Sequence, residues 1–270
     1  MALISLPGAE KDPDSDRWAD DGEEAAGARM SFLDHLEELR KRLVICAATL
    51  GVGFLVAFLF IDRLYAFIMR PLAKALPPGG KMQYTEPTEA FVLYLKMALL
   101  AGVVLSAPVI LWQLWLFVAP GLYSKEKRFA VPFIVMGSVF FVMGALFSHY
   151  LLFPWTWAFL ASFSTDWVVF QPKIEPTFSL YSKMLLGMGL VFQMPTLVFF
   201  LAKMGLVTAR FLLKNFKYAV LLIFILAAVI TPTGDMLTQT LFAAPMVVLY
   251  LLSIIIAWIF GRKRAPRTGA

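Results

Sequence analysis

This chain is poor in the residues that do chemistry. Among its 270 residues are a single cysteine, Cys46, and two histidines, His35 and His149. One cysteine cannot close an intramolecular disulfide, and its place in an apolar run makes it a small packing residue. The two histidines are far apart, and no G-x-S-x-G, H-E-x-x-H or Walker loop occurs. The expectation is therefore a protein that is not an enzyme, with no cofactor and no metal. Charge is scarce as well: 16% of residues are charged against 60% hydrophobic, too few to cover a water-soluble surface. No aromatic-and-basic stripe marks a nucleic-acid interface, so the net charge of +6 reads first as a topology signal.

What is present is long apolar runs. A bilayer core about 30 Å thick needs roughly 20 mostly apolar residues per helix. Charge-free runs extend over Leu43–Ile61, Met97–Ser124, Phe129–Thr165, Met184–Ala202, Tyr218–Gly234 and Met236–Gly261. The fold class expected is an all-α integral membrane protein of six transmembrane helices, forming a concave, kinked bundle with two short C-terminal spans. The third run exceeds one span, and Pro154, Trp155 and Trp157 place its end near Leu152, where aromatic rings favour the interface. In the fifth, Pro232 leaves a helix of only about 20 Å. Pro108, Pro132, Pro195 and Pro245 fall within or at the ends of spans and predict kinks.

Lys and Arg bias a loop towards the cytoplasm. Arg40, Lys41, Arg42, Lys125, Lys127, Arg128, Lys203, Arg210, Lys214, Lys217, Arg262, Lys263, Arg264 and Arg267 fall on one side. Only Arg63, Arg70, Lys74, Lys81 and Lys173 fall on the other, which predicts both termini in the cytoplasm. Lys96 and Lys183 lie near outer span ends, where their stems can snorkel to headgroups.

Residues 1–29 hold eight acidic and three basic side chains with Pro, Gly and Ala, the composition of a disordered tail. The membrane domain is expected over 30–261 and a basic cytoplasmic tail over 262–270. Ser31 and Asp34 resemble a capping box, and Phe32, Leu36, Leu39 and Leu43 repeat at helical spacing. An amphipathic helix therefore leads into the first span. Between the first two spans, Arg70-Pro71-Leu72 and Pro77-Pro78-Gly79-Gly80 predict a turn between two short amphipathic pieces lying on the membrane surface.

The segment Ser31–Leu43 places His35, Glu38 and Arg42 on one helix flank. Glu37 with Lys41 and Glu38 with Arg42 are also favourable i,i+4 pairs, which account for the spacing without any function. Residue types alone leave both readings open. The pattern S-F-x-x-H-L-x-E-L-R-x-R-L nevertheless resembles the N-terminal signature of the TatC family, signal-peptide receptors of the twin-arginine protein translocase. Ser106 to Tyr123, including Pro108, Phe117 and Pro120, followed by Lys125-Glu-Lys-Arg128, is similar to that family's second span and first cytoplasmic loop. Thr231-Pro232 through Asp235 to Gln239 resembles its last outer turn. The resemblance covers about residues 30–260.

The resemblance implies a receptor in the bacterial inner membrane that binds the Arg-Arg signal peptides of folded precursors. Glu38 and Glu126 are the residues it points to, and planar guanidinium donors match a carboxylate well. Arg40 lies in the same signature, where it sets topology and tunes the carboxylates. Leu36 and Phe117 offer apolar contact, although a Phe at a span end also serves as an interface anchor. Glu126, between two lysines, reads equally as a solvated loop charge.

Pro71, Pro108 and Pro120 are expected to be structural. Intramembrane polar residues are costly and default to function. Gln193 stands where many relatives carry Glu, so no role needing a proton is assigned to it; it can bond a partner helix or a neighbouring span. Thr231, Asp235 and Gln239 fall in the region that docks single-span TatA/TatB-type subunits, and Asp235 can instead cap the last helix. Homo-oligomerisation, contact with membrane lipid and dependence on the proton-motive force follow from kinship. The competing class, a proton- or ion-coupled small-solute transporter, calls for carboxylates near the bilayer midplane, and the spans are almost free of them.

Overall fold

The computed structural model describes residues 13–76, 82–118, 130–165, 167, 170–231 and 235–261, with side chains from Asp34 onward. Its helices are α1 (Pro13–Leu59), α2 (Ile61–Ala75), α3 (Glu89–Val118), α4 (Ala130–Phe147), a π-helical turn (Ser148–Leu152), α5 (Phe153–Ala161), α6 (Ile174–Val191), α7 (Gln193–Lys203), α8 (Ala209–Lys214), α9 (Phe216–Ile230) and α10 (Met236–Phe260). No strand occurs among the described residues, in agreement with the expected all-helical class. The chain comprises two compact units, Met1–Ile45 and Cys46–Ala270.

Five helical stretches are long and apolar enough to cross a membrane: Asp34–Leu59, Glu89–Phe117, Val131–Ala161, Ile174–Lys203 and Met236–Phe260. A sixth apolar helix, α9, has 15 residues and a length of about 22 Å at 1.5 Å per residue. One expectation needs correction here. The last two spans are not both short, because α10 has 25 residues and reaches about 37 Å. Asp235 starts it as N-cap, and Pro245 lies inside it without ending it.

A second correction concerns the third span, which does not end near Leu152 but continues to Ala161. The π turn makes that continuation possible. It widens the helix just before Pro154, whose ring has no N–H for the carbonyl one turn below, and the chain proceeds into α5. At the N-terminus α1 begins at Pro13, and Glu23-Glu24-Ala25-Ala26 are strong helix formers. Residues 1–12 and the basic tail 262–270 lie outside the described residues.

Within Cys46–Ala270, helices touch where side chains vanish. A Cβ on Gly53 would stand 2.8 Å from the Gly102 carbonyl oxygen, and one on Gly102 would stand 2.8 Å from the Phe54 nitrogen. A Cβ on Gly144 would meet the Met188 carbonyl oxygen at 2.6 Å, and one on Gly189 would meet the Phe141 ring at 2.8 Å. These two glycine pairs let α1 approach α3 and α4 approach α6 at backbone distance. That is how helices associate where lipid removes the hydrophobic drive between them. Around the crossings Met97, Phe153, Tyr181, Met184, Met188, Phe242 and Met246 are fully buried. A second cluster packs Trp115 of α3 against Phe133 of α4 and Phe200 of α7, tilted or edge-on, with ring centroids 4.7 to 5.3 Å apart.

The loops before α3 and α6 are pinned together. The Gln83 carbonyl accepts from the Ile174 amide at 2.9 Å, and Gln83 Nε2 donates to Gln171 Oε1 at 2.8 Å. Lys96 Nζ, expected to snorkel, instead pairs with Glu175 Oε1 at 2.7 Å.

Candidate functional site

On α1, four-residue spacing brings acids over bases. Glu38 Oε1 accepts from Arg42 Nη2 at 2.9 Å, and Glu37 Oε1 lies 2.9 Å from Lys41 Nζ. The pairs differ in exposure. Glu37 and Lys41 are open to solvent, with side chains 62% and 70% exposed, so their attraction is screened. Glu38 and Arg42 retain only 28% and 26%, and a pair held from solvent interacts more strongly. These four side chains, with Asp34 and Ile45, line one open groove of about 380 Å³. Leu36 and Arg40 are exposed, supplying an apolar and a cationic surface on the same segment.

The other sites expected from sequence separate into groups. Glu126 and Pro120 lie outside the described residues. Phe117 is half-buried at the end of α3, Pro108 lies inside α3, and Pro71 lies inside α2. Gln193 opens α7 at the break that follows Phe192 and is buried. Its Nε2 donates to the Gly137 carbonyl at 2.8 Å, so its amide ties α7 to α4 within the chain. At the C-terminal turn, Thr231 Oγ1 donates to the Ala227 carbonyl at 2.8 Å, and Asp235 Oδ2 accepts from the Thr238 amide at 2.6 Å. Gln239 Nε2 donates to the Phe224 carbonyl at 2.9 Å. All four polar residues assigned to partner docking therefore have internal bonds. Asp235 is the cap that its position before an apolar run allows.

Sequence reasoning missed one polar cluster. His149, on the π turn, stacks on Phe67 of α2 with centroids 4.2 Å apart, and its Nδ1 lies 2.9 Å from the Tyr181 hydroxyl of α6. The available signal was a lone histidine inside a charge-free run. Its partners come from distant segments, so periodicity could not supply them. Among the described residues no group of His, Cys, Asp and Glu could hold a metal ion.

Apolar helices of spanning length, whose carboxylates stand only within the first few residues of a stretch, define a multi-pass helical membrane protein. Comparison with known proteins takes this further. The Sec-independent protein translocase protein (TatC) family matches residues 34–245. The Desulforapulum autotrophicum Sec-independent protein translocase protein TatC is 45% identical over 233 residues, covering 86% of each chain. The Koribacter versatilis protein of the same name is 44% identical over 240 residues, covering 87% of each. A crystal structure of the twin-arginine translocase receptor TatC is 32% identical with a TM-score of 0.73, covering 83% of this chain and 97% of that one. The same receptor in DDM superposes with a TM-score of 0.75 at 32% identity, covering 83% and 99%. The chain belongs to the TatC family.

Proposed function

We propose that this protein is the receptor subunit of a twin-arginine translocase in a bacterial inner membrane, with both termini in the cytoplasm. In this reading Glu38 and Glu126 bind the paired arginines of a folded precursor's signal peptide. The observation that carries it is the Glu38–Arg42 pair, a partly screened carboxylate already holding a guanidinium at 2.9 Å. Arg42 occupies the place that a precursor arginine takes on binding. Exchange of one guanidinium for another costs little desolvation, because the carboxylate is never left bare. Leu36 and Phe117 receive apolar residues beside the arginine pair, and Arg40 sets topology.

Partner helices of the TatA/TatB type dock along the short helix α9 and the start of α10. A helix of about 22 Å thins the bilayer around it, and that mismatch favours helix association. Thr231, Asp235 and Gln239 shape this docking region through their internal bonds. Several copies act together in a receptor complex, and the proton-motive force drives export.

The test is export of a folded reporter bearing a twin-arginine signal, in cells deprived of their own receptor subunit. Export that returns with this chain, and fails when the signal carries Lys-Lys, supports the reading. Absence of export with a stably inserted chain contradicts it.

A further inference from the structure

An open groove of about 570 Å³ lies among α1, α2, α3, α4, the π turn and α6. Its wall is built from Ala57, Leu64, Ala101, Val104, Ala145 and neighbouring apolar side chains. Of the polar groups that reach it, His149 and Tyr181 bond each other at 2.9 Å, so neither asks for a ligand. The other is Arg63, which is exposed and sits in the first turn of α2 with its guanidinium 6.0 Å from the Phe60 ring. No carboxylate lies within ion-pair distance of Arg63 among the described residues, and its neighbour Asp62 does not line the groove. Arg63 lies two residues past the apolar run Leu43–Ile61, after Asp62, at the depth where a span meets the headgroups.

We infer that this groove holds an acyl chain of an anionic phospholipid whose phosphate is bound by Arg63. An apolar trough ending in an unpaired cation at headgroup depth matches that ligand in shape and charge.

The test is native mass spectrometry of the full chain released from membranes of defined lipid. From phosphatidylglycerol, wild type should keep one lipid about fivefold more than Arg63→Gln, the effect of one cation near an anionic lipid surface. From phosphatidylcholine, whose choline offsets the phosphate charge, the difference between the two should be smaller. Ala101→Phe, which fills the groove without removing charge, should lose both lipids. Equal phosphatidylglycerol retention by wild type and Arg63→Gln overturns the assignment, as does full retention by Ala101→Phe. A photocrosslinker at Val142, which lines the groove, should label lipid; labelling only protein in native membranes also overturns it.

Discussion

The segment Asp34–Ile45 of α1 and the broken span formed by α6 and α7 treat polar groups in opposite ways. On α1 Glu37 and Glu38 pair with bases on their own helix, exposed or half-buried, where a ligand can reach them. In α6–α7 Gln193 is buried, and its donor is committed to the Gly137 carbonyl of α4. A polar residue near the boundary remains available for binding. One deep among spans becomes part of the frame, because an unpaired amide in hydrocarbon costs several kcal/mol. On the proposed reading, recognition falls to Glu38, while the bond of Gln193 to Gly137 supports the frame.

The largest effect expected is on recognition. Glu38→Ala with Glu126→Ala removes the two carboxylates assigned to the arginine pair and should lower export at least tenfold, as expected for hydrogen bonds to charged groups. Pulse-labelled precursor processing measures this. Next comes Gly144→Leu, which drives a side chain into the Met188 carbonyl and should destabilise the fold by about 1–3 kcal/mol or more. Thermal unfolding in detergent reads that loss.

Gln193→Leu leaves the Gly137 carbonyl without its donor and should cost about 0.6–1.7 kcal/mol of stability. Precursor crosslinking at α1 should be unchanged, and a loss of crosslinking without a loss of stability would break the contrast. Lys96→Ala removes an ion pair whose side chains are nearly half exposed and should cost under about 1 kcal/mol by the same unfolding assay.

Much of this was legible from residues in order. Charge-free runs mark each apolar helix, because the bilayer length requirement is written in consecutive residues. The acids and bases of α1 are legible for the same reason, since i,i+4 pairing is local. The continuation of the third span through Pro154 was not, because a π turn depends on packing that Pro and Trp do not announce. Nor was the Gln193–Gly137 bond, whose partners lie 56 residues apart. The length of α10 was open to inspection in its 25 uncharged residues, and kinship with a short-spanned region obscured it.

Site-specific photocrosslinking from Leu36 to a twin-arginine precursor tests the central claim most directly, comparing wild type with Glu38→Ala in intact membranes. Strong crosslinking in wild type that falls about tenfold in the variant, and equally when the signal carries Lys-Lys, is the result predicted here. Crosslinking undiminished by either change would contradict the assignment of Glu38 as a receptor for the arginine pair.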